Sequence, residues 1–216
     1  MDFSQIPVTL ALIALNVIVS LIGFSNKNFM SKGLMWPYLV KRENQYYRFL
    51  SSGFLHADFM HLFFNMFTLY FFGSNIESYF ASIFPMGKLY YIILYFTAMV
   101  VADLPSYFKN KDNQSYRSLG ASGAVSATVF AAVVFNPWGK LYLYGFISMS
   151  ALVFAVLYIL YCVYMGRKEA DNVNHDAHLW GSIYGLIFTL ALVAAMRPDI
   201  LPVIMEELKH PSLFGK

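Results

Sequence analysis

Gly120-Ala-Ser122-Gly123-Ala-Val-Ser126-Ala-Thr-Val-Phe-Ala-Ala-Val-Val-Phe135 decides how this chain must fold. The run from Ser122 to Phe135 is apolar, yet it is short for a bilayer crossing, which takes about 20 residues. It also opens in a glycine-rich turn rather than at the level of a lipid headgroup. Such a start is tolerated only where surrounding protein or a water-filled cavity satisfies the backbone, so this helix needs other helices around it. Five further apolar runs supply them: Ile6 to Phe24, Ala57 to Tyr79, Leu89 to Tyr107, Leu143 to Met165 and Ala177 to Met196. At about 20 residues per span, six spans leave no room in 216 residues for a sizeable extramembrane domain. An all-α polytopic membrane protein of six transmembrane helices is expected, as a single domain over residues 1–216.

Composition agrees. The chain is 58% hydrophobic, 19% aromatic and only 12% charged, whereas about a quarter of residues in a soluble domain carry charge. The 15 basic and 12 acidic side chains are scattered, and without a basic run nucleic acid is not an expected partner. Cys162 is the single cysteine, which excludes an intrachain disulfide, argues against a Cys-based metal site and points to a small apolar packing residue. The first run has no basic segment before it and no small-residue cleavage site after it, so it reads as a retained helix. The connection from Ser25 to Leu55 mixes Lys27, Lys32, Lys41, Arg42 and Arg48 with Trp36, Tyr38, Tyr46 and Tyr47, a composition suited to the membrane interface.

Charge and span count disagree about orientation. Six spans put both termini on one side together with Lys88, Lys140, Arg197, Lys209 and Lys216. The other ten basic residues (the five of the first connection, then Lys109, Lys111, Arg117, Arg167 and Lys168) fall opposite. By the positive-inside rule alone the termini lie outside.

Polar groups within spans are costly and mark a functional path. His61 and Asn65 are spaced i, i+4 on one helix face, while His56 falls round the helix near the span's mouth. Ser122 opens the fourth span, where free backbone N–H groups and the helix dipole favour a developing anion; Gly120 and Gly123 allow a tight turn and close approach. His178, Gly181, Ser182 and Gly185 share one face of the sixth span, so a second helix can come very close to the histidine. If that helix carries Ser122, neutral imidazole can take the serine proton and return it to a leaving amine. The Ser122 N–H, the Asn65 amide and a His61 ring N–H are candidate oxyanion donors. Asp176 reads as a loop carboxylate. His175 and His178 are spaced i, i+3 without the glutamate of a His-Glu-x-x-His site, so no metal is expected.

These residues resemble the rhomboid intramembrane serine proteases. Gly120-Ala-Ser122-Gly123 resembles that family's Gly-x-Ser-Gly motif, and His56, His61-x-x-x-Asn65 and Ala177-His178-x-x-Gly181-x-x-x-Gly185 fall in the matching spans. Tyr47-Arg48 resembles the family's Trp-Arg pair in a membrane-embedded first loop, and Gly73-x-x-x-Glu77 its second-span glutamate motif. The resemblance implies a rhomboid-like six-helix bundle with a Ser122–His178 dyad, supported by His61, Asn65, Gly120 and Gly123. His56, Arg48, Glu77, Gly181 and Gly185 are implied as structural motif residues. It implies cleavage of single-span membrane proteins in or near the lipid bilayer with no cofactor, termini in the cytoplasm and a catalytic mouth on the extracytoplasmic face. The compact form points to a bacterial inner membrane. Ser126 departs from the family, some of whose members place a tyrosine there against the catalytic histidine. A non-catalytic adaptor of rhomboid shape and a small transporter are the competing classes.

Overall fold

The computed structural model describes residues 3–143, 147–168 and 173–215. The elements in chain order begin with α1 (Pro7–Ser25), α2 (Lys27–Gly33), α3 (Pro37–Glu43), α4 (Arg48–Ser51), α5 (Phe59–Thr68), α6 (Ser74–Ile83) and α7 (Gly87–Asn110). They continue as α8 (Ser122–Phe135), strands β1 (Lys140–Leu143) and β2 (Ile147–Ser150), then α9 (Ala151–Lys168), α10 (His175–Met196) and α11 (Leu201–Leu208). Of these, α1, α7, α9 and α10 are long and apolar enough to cross a bilayer.

The second span is a rod of two helices. The Asp58 carboxylate accepts the His61 backbone N–H at 2.8 Å and caps α5, so the helix starts at Phe59. A π-helical turn, Leu69–Gly73, then passes the chain into α6. The fourth span begins at Ser122 and ends at Phe135, with every residue from Gly123 to Val134 buried. Helix α8 is short because it is the centre of the bundle and meets little lipid.

The fifth span differs from expectation. Its first described residues are strand in place of helix: β1 pairs antiparallel with β2, Lys140 opposite Ser150 and Leu141 opposite Met149, and the helix starts only at Ala151. The Ser150 N–H donates to the Leu213 carbonyl and the Ala151 N–H to that of Gly139, so the entry to α9 is pinned by backbone pairing that hydropathy does not report. Residues 144–146 of that expected span lie outside the described residues.

What draws the centre together is the absence of side chains. A bilayer supplies no hydrophobic push between helices, so close packing must. A methyl group at Gly181 would overlap the Gly123 carbonyl oxygen, and one at Gly185 that of Ala127. At Gly123 itself a methyl group would lie 2.6 Å from the Ala102 side chain of α7. Larger apolar groups such as Phe63, Phe67, Leu157 and Leu160 are exposed on the outer faces, where lipid is the solvent.

Gly185→Ala is therefore expected to lower the thermal unfolding midpoint in detergent, by an overpacking cost of about 1–3 kcal/mol. Gly166→Ala on α9, whose new methyl would meet nothing nearer than 3.6 Å, should leave it equal or raised by a helix-propensity gain of about 0.5–1 kcal/mol. Differential scanning fluorimetry of the two variants checks this contrast.

Candidate active site

The turn before Ser122 is held from the first connection. The Arg48 guanidinium is buried and donates to the Leu34 carbonyl at 2.6 Å, the Ser31 carbonyl at 3.2 Å and the Gln45 side-chain oxygen at 2.7 Å. Burial lowers its pKa, with the neighbouring Tyr47 and Glu43 acting the other way. Next to Leu34, Met35 forms an antiparallel bridge with Ser118, its N–H donating to the Ser118 carbonyl at 2.9 Å and its carbonyl accepting the Ser118 N–H at 3.1 Å. Two residues on, the Gly120 N–H donates to the Ser52 carbonyl at 3.0 Å. Gly120 has φ +128°, a conformation side chains rarely adopt, and a Cβ there would sit 2.7 Å from His61 Cε1 and 2.8 Å from His61 Nε2. Glycine is required twice over, by the dihedral and by the imidazole pressed against the backbone.

His61 is oriented by its own helix start. The Ala57 N–H donates to His61 Nδ1 at 3.4 Å. A neutral imidazole whose Nδ1 accepts carries its proton on Nε2, and Nε2 is the nitrogen turned to Gly120 beside Ser122. Asn65 follows one turn later, buried, with one amide hydrogen donated to the His61 carbonyl at 3.0 Å.

His178 is presented by the start of α10. The Asn174 side chain caps that helix, accepting the Ala177 N–H at 3.1 Å and the Ser106 hydroxyl at 2.8 Å, while its amide donates to Asp103 at 3.4 Å. The His178 ring stacks on Tyr158 of α9, centroids 6.2 Å apart and planes 17° from parallel. The Tyr158 hydroxyl lies 3.2 Å from the Ser126 hydroxyl. The tyrosine missing at 126 is thus replaced in space from another helix, and the small serine leaves room for it. Asp176 sits in the first turn of α10 rather than in a loop.

Ser122, His178, His61 and Asn65 line one cavity of about 730 Å³, with Ser126, Tyr158, Asn174 and Arg117 also in its wall. The other expected residues have structural tasks. Glu77 is fully buried and accepts the Val8 N–H at 3.0 Å, the Thr9 N–H at 2.7 Å and the Thr9 hydroxyl at 2.8 Å, so its carboxyl oxygens take up free backbone donors at the N-terminus of α1. His56 pairs with the Ser20 hydroxyl at 2.8 Å, and its ring meets that of His61 edge-on at 5.0 Å. Burial, reinforced by the nearby His61, pushes the His56 imidazole down to about 3, so it stays neutral at physiological pH. Gly181 and Gly185 are the contact described above. Sequence reasoning missed Tyr158, Asn174 and Ser52, whose roles come from proximity across helices.

Residues 43–195 match the family model described as the Rhomboid domain. The chain is 26% identical to RHOMBOID-like protein 12, mitochondrial, of Arabidopsis thaliana, over 75% of this chain and 51% of that one. It is 29% identical to Rhomboid-like protein 11, chloroplastic, of the same plant, over 80% and 63%. With the human Presenilin-associated rhomboid-like protein, mitochondrial, it shares 27% identity over 77% and 40%. The chain thus spans roughly half the length of these curated relatives. Their names place them in mitochondria and chloroplasts and give the expected bacterial membrane no support.

Because charged-donor hydrogen bonds are worth about 1.5–3 kcal/mol each, Arg48→Lys, which loses the forked geometry, should loosen the Met35–Ser118 bridge. Amide exchange at Met35 and Ser118 is expected to quicken about tenfold or more, read by hydrogen–deuterium exchange mass spectrometry.

Proposed function

The chain belongs to the rhomboid family, and we propose that it is an intramembrane serine endopeptidase that cuts single-span membrane proteins within or near the bilayer. The observation that carries this is the shared cavity: a serine at a helix N-terminus and a ring-stacked histidine from another helix face one open cavity in an integral membrane protein. Ser122 Oγ attacks the peptide carbonyl as His178 takes its proton. His178 then returns that proton to the leaving amine, leaving an acyl-enzyme that water hydrolyses by the same exchange. Negative charge on the tetrahedral oxygen is met by the Ser122 N–H, the His61 Nε2–H held toward Gly120, and the Asn65 amide. Each donor of this kind lowers the barrier by about 3 kcal/mol. Tyr158 and the Asn174 cap keep His178 aimed.

Residues 1–216 act as one unit in this proposal, because α1, outside the family match, is tied to the second span through Glu77. The termini are assigned to the cytoplasmic side and the cavity mouth to the opposite face, following the resemblance over the charge count.

An activity-based fluorophosphonate probe is expected to label the purified chain and to lose that labelling in both Ser122→Ala and His178→Ala. Equal labelling of all three proteins rules the reaction out. In a second measurement, Asn65→Ala should lower kcat by about 10²–10³ with little change in KM, the signature of a lost transition-state donor. A raised KM at constant kcat assigns Asn65 to substrate binding instead. Incubation in proteoliposomes with tagged single-span proteins, followed by mapping of the cleaved bond, identifies the substrate segment.

A further inference from the structure

Behind the stacked pair of Tyr158 and His178, α9 and α10 bring together three groups that the proteolytic reaction does not use as a set. Cys162 Sγ, a His175 ring nitrogen and a His178 ring nitrogen all lie within 4.8 Å of one another. Cys162 and His175 are buried. The two imidazoles are one turn apart on α10, edge to face at 6.0 Å, and His175 also meets the Tyr161 ring at 5.5 Å. A tetrahedral zinc ion with Zn–N and Zn–S bonds of about 2.0 and 2.3 Å separates its donors by roughly 3.3–3.7 Å. Side-chain rotations closing the donors by about 1 Å would meet that geometry.

We propose that Cys162, His175 and His178 form a binding site for a zinc-class divalent cation. Its occupation withdraws His178 from catalysis. The donor set selects the ion: a thiolate with two imidazoles suits zinc and its analogues and disfavours magnesium and calcium, which take oxygen. The route in is the 730 Å³ cavity, since His178 belongs both to its wall and to the cluster. Binding exchanges the Cys162 thiol proton for the metal, with that proton leaving to solvent, no change of oxidation state, and a water completing the fourth position.

The consequence for His178 follows from imidazole chemistry. A neutral ring has one basic lone pair; once the metal holds it, the other nitrogen carries the N–H, and neither can accept the Ser122 proton. The site stands on geometry alone, whereas its inhibitory effect rests on the protease reading. The expectation of no metal weighed a lone cysteine and an i, i+3 histidine pair separately, because nothing local in the sequence shows that Cys162 of the preceding span meets the two histidines.

Cobalt(II) is the probe for the site, in the detergent-solubilised full chain carrying Ser122→Ala so that catalysis plays no part. Cys162 is the single cysteine, so a thiolate-to-cobalt charge-transfer band reports this site and no other. The band is expected to saturate at one cobalt per chain, to be displaced by zinc, to vanish in Cys162→Ser and to weaken at least tenfold in affinity in His175→Gln. Absence of the band, or its persistence in Cys162→Ser, overturns the site. For the effect, proteolysis by the chain with Ser122 intact is followed with and without zinc, each variant scaled to its own metal-free rate. A fall of tenfold or more that Cys162→Ser and His175→Gln largely abolish supports inhibition, and a rate unchanged at saturating zinc with the band intact overturns it. A chain that shows the band and no proteolysis under any condition overturns the protease reading and leaves the site standing.

Discussion

Everything in this bundle depends on the contact between α8 and α10. Gly181 and Gly185 lie against the carbonyls of Gly123 and Ala127 with no space for a methyl group at either glycine. In lipid, helices gain nothing by hiding apolar surface from one another, so association rests on close van der Waals packing, and two glycines on one face of α10 permit an approach that any side chain would forbid. The contact lies beside the start of α8 and one turn past His178, which is why Ser122 and His178 can share a cavity. It also explains the length of α8: a helix buried from Gly123 to Val134 has no need to match the bilayer.

A second constraint holds the turn that precedes Ser122. Arg48 ties α4 to the carbonyls of Ser31 and Leu34, Met35 pairs with Ser118, and Gly120 is fixed to Ser52 and pressed by the His61 ring. The first connection is thus the frame of the turn, and its aromatic and basic composition, suited to an interface, also delivers backbone partners inward. Glu77 and His56 show the same economy. Each is a polar group buried among helices, hydrogen-bonded to α1, and outside the wall of the cavity.

On its far side the cavity is completed by α9. Tyr158 stacks on His178 while its hydroxyl reaches Ser126, so a residue that departs from the family pattern and one that nothing in the pattern foretells form a single device. The same helix brings Cys162 to the two histidines of α10, which makes the α9–α10 seam the place where the histidine's chemistry is open to adjustment.

The sequence by itself determined the class of the fold and singled out Ser122, His178, His61 and Asn65, which line one cavity. Low charge and six apolar runs require a bilayer; i, i+4 spacing puts His61 and Asn65 on one face; and glycines at i+3 and i+7 from His178 require a close neighbour. These are local periodicities, and the helix repeat makes them legible. Tertiary structure alone decided that the close neighbour of His178 is α8, that Tyr158 supplies the ring, that Arg48 acts through two loop carbonyls, and that Lys140–Leu143 pairs with Ile147–Ser150 as strands before α9 begins. Each of those depends on which distant segments meet. Single-chain hydropathy carries no such information, because an apolar face records that something is packed against it without recording what.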